Sequence, residues 1–184
     1  MNGNSERHSG IRVLLVDDNP GDVRLTMEAW KDAKVLVDMH VVMDGVEAIQ
    51  FLRRQGQFAA SPRPDLILLD LNLPRMDGRE VLREIKNDPL LKSIPVVILT
   101  TSASQIDIER SYLLHANCYI SKPVDLEGFL KVVATIEDFW LTVVRLPSMP
   151  SVVPSEASSQ VPSHATSQVP SQASAPIAGP GVQS

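Results

Sequence analysis

Five polar residues stand where apolar runs stop. Asp17 and Asp18 follow IRVLLV, Asp70 closes LILLD, Thr100 closes VVILT, and Lys122 comes just after CYIS. Adjacent carboxylates repel each other and resist burial, so Asp17 and Asp18 need either water or a shared cation. If Asp70 converges on them, the three carboxylates suit a hard divalent ion such as Mg²⁺, which takes one or two protein carboxylates and leaves room for a phosphate oxygen. The cation would keep Asp70 ionised and positioned as a nucleophile, and an aspartate of that kind accepts a phosphoryl group as an aspartyl phosphate. Charge on the transferring oxygens would then meet Mg²⁺, the Lys122 ammonium and the Thr100 hydroxyl.

That chemistry requires the five residues to share one edge of a sheet. Ile11–Val16, Leu66–Leu69 and Val96–Leu99 are almost continuously apolar, as parallel strands covered on both faces must be. Val37–Val41 alternates apolar with polar residues and Cys118–Ser121 is short and mixed, so both belong at sheet edges. Helical spacing fills the gaps, through Val23, Met27 and Trp30, then Val46, Ile49, Phe51 and Leu52, then Val81, Leu82 and Ile85. Ser104 with Asp107 resembles a capping box opening a fourth helix, and a fifth begins near Asp125. Five strands alternating with five helices make a doubly wound α/β domain, whose ligands bind beyond the carboxyl ends of the strands.

The 184 residues, 43% of them hydrophobic, allow one ordinary core. A net charge of −5 and the lack of a basic, aromatic-interleaved patch argue against nucleic-acid binding. One cysteine, Cys118, cannot form an internal disulfide, and no apolar run reaches the roughly 20 residues of a membrane span. A cytoplasmic protein with no membrane partner is expected. Residues 1–9 read as a disordered leader. Residues 147–184 are dominated by Ser, Pro, Ala, Gln and Val, carry only Glu156 as a charged side chain and repeat SQVPS from Ser159 and Ser167, so they read as a disordered tail.

Residues 10–146 resemble a response-regulator receiver domain of two-component signalling. The likeness rests on Asp17-Asp18, on DLNLPRMDG from Asp70 to Gly78, on Thr100 and on Lys122-Pro123. It implies the flavodoxin-like sheet order 2-1-3-4-5, phosphoryl transfer to Asp70 from a histidine kinase, and Mg²⁺ held by Asp17, Asp18, Asp70 and the backbone carbonyl of Asn72. It further implies that Thr100 and Lys122 hold the phosphoryl oxygens. When Asp70 is phosphorylated, Thr100 would move and Tyr119 would turn inward, shifting an existing equilibrium. SPRPDLILLDLNLPRMDGREVL, LHANCYISKP and IEDFWLTVVRLP also resemble the small regulators paired with phytochrome kinases. That group forms homodimers through the fourth helix, fifth strand and fifth helix.

The residues support a self-association face independently. At about 100° per residue the apolar positions of Leu126–Val144 span roughly 220°, against about 100° for a stripe facing one core. Phe139, Trp140 and Leu141 are therefore expected at a dimer interface. Three readings compete with the phosphoacceptor. A nucleotide- or dinucleotide-binding α/β domain would need a Gly-rich loop after a strand, and none follows any strand here. A phosphohydrolase with an aspartate nucleophile usually carries an acid two residues later, where this chain has Asn72. A dimeric scaffold indifferent to phosphate would differ only in its response to phosphorylation.

Overall fold

The computed structural model describes residues 10–31 and 35–147. All of them fall in the first of two units, Met1–Met149 and Pro150–Ser184. The expected leader, and the expected tail apart from Pro147, lie outside the described residues.

Five strands, β1 (Ile11–Val16), β2 (Val37–Val42), β3 (Leu66–Leu69), β4 (Val96–Thr100) and β5 (Cys118–Ser121), form one parallel sheet in the order β2-β1-β3-β4-β5. The strand order is the one expected. Five α-helices connect and follow them: α1 (Pro20–Ala29), α2 (Gly45–Leu52), α3 (Gly78–Asn87), α4 (Gln105–Leu113) and α5 (Leu126–Ile136). β1 passes its side chains alternately to two cores. Leu14 and Val16 join Ile67, Leu69 and Ile98 under α2 and α3, whereas Val13 and Leu15 join Leu66, Leu68 and Leu99 under α1 and α5. Burial on both faces is why the central strands are unbroken apolar runs. β2 and β5 are only partly buried, as sheet-edge strands are.

The chain feeds β2 to one side of β1 and β3 to the other, so the carboxyl ends of β1 and β3 flank the point where the strand order reverses. Asp17 and Asp70 are the next residues in each case. Behind Asp70 the loop returns tightly: Gly78 N donates to the Leu71 carbonyl at 2.9 Å, and a Cβ at Gly78 would lie 2.1 Å from the Asp70 carbonyl oxygen. Only glycine permits that approach. Asp77 and Glu80 then open α3 with a reciprocal capping box.

Three expectations are corrected. Ser104 precedes α4 but its side chain caps nothing, and the Asp107 carboxylate accepts from Ser102 instead of returning to the Ser104 backbone. Met27, assigned to the inner face of the first helix, is 44% exposed, while Thr26 beside it is buried with its hydroxyl on the Asp22 carbonyl. The third concerns the chain after α5, where Glu137–Val143 winds as a π-helix. Its wider i→i+5 turn rotates less per residue, so a projection at 100° overstates the apolar spread. Trp140 and Leu141 come round into the second core, with Phe129, Val133 and Ile136. Of the three residues expected at a partner, only Phe139 is on the surface, at 51% exposure.

Candidate functional site

The carboxyl ends of β1, β3, β4 and β5 bring the five expected residues together. Asp17, Asp70, Thr100 and Lys122 are buried and Asp18 is exposed. The Lys122 ammonium is the hub: it donates to Asp17 Oδ2 at 2.7 Å, to Asp70 Oδ2 at 2.8 Å and to Asp22 Oδ2 at 2.9 Å. Lys122 is delivered there by its own backbone N–H, which continues the β5 pairing to the Thr100 carbonyl at 2.7 Å. The other oxygens of the two buried acids are held by backbone. Asn19 N donates to Asp17 Oδ1 and Asn72 N to Asp70 Oδ1, each at 3.0 Å.

Asp22 is a member of this cluster that the sequence reading missed. It lies in the first turn of α1, five residues after Asp17, and an acid so placed beside a proposed cation site was the available signal.

Four carboxylates (Asp17, Asp18, Asp22, Asp70) face one ammonium, leaving a surplus of negative charge. Burial alone would lower the Lys122 pKa, but its bonds to Asp17 and Asp70 outweigh that and hold it above the usual lysine range. It is therefore a permanent cation. For Asp17 the balance is opposite: burial raises its pKa, and the bonds from Lys122 and Asn19 offset this only in part. One ammonium shared by three acids does not meet the demand for positive charge. Oxygens of Asp17, Asp18 and Asp70 lie within 4.8 Å of one another, all-oxygen donors suited to a hard divalent cation.

The remaining expected residues surround Asp70. Asn72 is exposed, and its Nδ2 approaches Thr100 Oγ1 at 3.5 Å and Thr101 Oγ1 at 3.3 Å. Tyr119, partly buried, packs against the first core and donates its phenol to the Ser102 carbonyl at 2.9 Å. Phe139, Trp140 and Leu141 belong to the segment after α5 and are not among these residues.

A parallel 2-1-3-4-5 sheet with an aspartate triad and a lysine at its strand ends is the arrangement of a receiver domain, and comparison with known proteins agrees. The response regulator receiver domain family matches residues 13–134, and the chain belongs to that family. It is 51% identical over 136 residues to response regulator Rcp1 of Synechocystis sp., which covers 74% of this chain and 92% of the relative. A probable methanogenesis regulatory protein, FilR2 of Methanothrix harundinacea, is 40% identical over 136 residues, 73% of this chain and 86% of the relative. Among solved structures, the manganese-bound form of Rcp1 matches with TM-score 0.74 and 50% identity, and the phosphorylated cyanobacterial phytochrome response regulator RcpA with TM-score 0.73 and 52% identity. Each covers 75% of this chain and is itself covered to 99%.

Proposed function

We propose that residues 10–146 form a switch that accepts a phosphoryl group on Asp70 from the phosphohistidine of a phytochrome-type histidine kinase. The observation that carries this is the buried Asp70 carboxylate, fixed between the Asn72 N–H and the Lys122 ammonium at an acidic cluster open to solvent through Asp18. An Asp70 oxygen attacks phosphorus, the bond from phosphorus to the imidazole nitrogen breaks, and that nitrogen leaves with the electron pair. Lys122 then neutralises phosphoryl oxygen charge, and the Thr100 hydroxyl, 3.5 Å from Asn72 Nδ2 on the loop after Asp70, binds another phosphoryl oxygen. Mg²⁺ held by Asp17, Asp18, Asp70 and the Asn72 carbonyl would supply the remaining positive charge. Rcp1 has been captured with a related divalent ion, Mn²⁺. The phytochrome pairing is supported by the description of RcpA as a phytochrome response regulator.

The output is protein binding, including self-association. Ile106 and Leu113 on α4, Leu126 and Leu130 on α5 and Phe139 beyond it are exposed apolar side chains on the elements expected to form a homodimer. No described helix is long and apolar enough to cross a membrane, and we place the protein in the cytoplasm with residues 1–9 and 147–184 as appendages to the switch. Intact-mass spectrometry after treatment with acetyl phosphate tests the central step. One phosphoryl adduct is expected on the wild type with Mg²⁺, and none with EDTA or in Asp70→Asn. A wild type that takes up no phosphate under any condition, yet dimerises, would instead be a scaffold.

A further inference from the structure

Ser102, two residues beyond Thr100, is a crossing point between the site and the surface. Its backbone N–H points to Thr100 Oγ1 at 3.4 Å, and its carbonyl accepts from the Tyr119 phenol at 2.9 Å and from Ser121 Oγ at 3.3 Å. Its hydroxyl donates to Asp107 Oδ2 at 2.6 Å. Asp107 Oδ1 in turn accepts from Arg79, Nη2 at 2.7 Å and Nε at 3.1 Å. Arg79 also grips Asp77, the cap of α3, through Nη1 to Oδ2 at 2.9 Å. A path therefore runs from Asp70 along its own loop to Asp77, through Arg79 and Asp107 to Ser102, and on to Thr100, which Asn72 Nδ2 of the same loop approaches at 3.5 Å.

The chemistry of the groups sets the direction of each bond. The Ser102 hydroxyl and then Arg79 hold the Asp107 carboxyl below the usual carboxylate range, so it is ionised and can only accept. The single Ser102 hydroxyl proton is thus committed to Asp107 and turned from the phosphoryl site. The chain also forgoes a local advantage here. Asp107 stands where it could complete a capping box with Ser104, and its carboxylate serves Ser102 and Arg79 instead. A local rule broken in favour of a long-range contact marks a position with another task. Arg79 moreover lines a surface cavity of about 300 Å³ between α3 and α4, so the path ends on the outside of the domain.

We propose that Arg79 and Asp107 are positioning residues: by anchoring Ser102 they fix the Thr100 hydroxyl and the Tyr119 ring in one arrangement and couple the state of Asp70 to α3 and α4. The coupling rests on Asp70 as phosphoacceptor; the anchoring itself does not. The chain has two tyrosines, so ring-¹³C-tyrosine NMR of the full chain, with Tyr112→Phe for assignment, reads Tyr119 directly. Before phosphorylation, Asp107→Asn and Arg79→Gln should displace or broaden the Tyr119 resonance, and Arg79→Lys, which keeps the charge but not the fork across Asp107 and Asp77, should fall between Arg79→Gln and wild type. After acetyl phosphate and Mg²⁺, the mass adduct should still form in all three variants. Its lifetime should change by about twofold to thirtyfold in the first two, the range of couplings between residues outside a binding site. Tyr119 resonances superposable on wild type in both Asp107→Asn and Arg79→Gln would overturn the anchor, as would unchanged lifetimes for the coupling. If even the wild type took no phosphate, the Asp70 reading would fall, and the Tyr119 comparison in unphosphorylated protein would still decide the anchor.

Discussion

Lys122 Nζ lies 2.8 Å from Asp70 Oδ2 and 2.7 Å from Asp17 Oδ2, joining strands β5, β3 and β1 through one ammonium that is 2% exposed. Taking away one partner of a buried ion pair strands the others, at about 3–5 kcal/mol. Lys122→Ala should show a loss of that order in urea unfolding without divalent ion, partly restored by Mg²⁺. Its rate of phosphoryl uptake from acetyl phosphate should fall by about 10²–10³, the usual effect of removing one preorganised charge-stabilising donor. A variant phosphorylated at the wild-type rate would remove Lys122 from the transfer step.

Asp17 predicts how metal binding follows pH. Its folded pKa is raised, because burial outweighs the bonds from Lys122 and Asn19, so the folded chain binds this proton more tightly than the unfolded chain does. The stability this group contributes is full below its unfolded value and is lost as pH rises through the raised value. A divalent cation binds only the carboxylate and reverses that sign. The increase in Tm produced by Mg²⁺ should therefore shrink as pH falls through the carboxylate range, and should be small and flat in Asp17→Asn. An equal Mg²⁺ shift at acid and neutral pH in the wild type contradicts this.

The segment after α5 separates two roles that its sequence merges. Trp140 and Leu141 are buried in the chain's own core, whereas Phe139 is half exposed with its ring edge-on to Trp140, 5.6 Å between centroids. Trp140→Ala should cost about 3–5 kcal/mol in chemical denaturation. Phe139→Ala should leave the unfolding midpoint nearly unchanged and weaken self-association in light scattering. A fully dimeric Phe139→Ala protein would move the interface elsewhere.

Trp30 links the first helix to the fifth. Its indole Nε1 donates to the Val133 carbonyl at 3.1 Å, a buried bond across 103 residues of sequence. Trp30→Phe keeps most of the apolar surface and loses that bond, so a destabilisation of about 0.5–1.5 kcal/mol beyond the volume effect is expected. Hydrogen exchange should increase in both α1 and α5; an increase confined to α1 would mean that the bond does not couple them.

Gly78 is a test of the loop that presents Asp70. Alanine there would press its Cβ on the Asp70 carbonyl oxygen and on Leu71. Gly78→Ala should lose about 1–3 kcal/mol, as overpacked sites do, and should lower phosphoryl uptake by displacing Asp70. Uptake at the wild-type rate would show that the carboxylate position does not depend on this approach.

The sequence by itself determined the strands, their order of burial and the residues at their ends. An apolar run buried on both faces cannot continue through a charged side chain, so Asp17, Asp70 and Lys122 announce where each run stops. The tertiary structure alone decided which charges share Lys122, where Asp107 spends its carboxylate and which of Phe139, Trp140 and Leu141 face inward. Apart from the local bond between Ser102 and Asp107, the first two depend on distances between residues 28 to 105 positions apart. The last depends on a π-helical turn after Ile136, and a projection that assumes uniform α-helical rotation carries no information about such a change of phase.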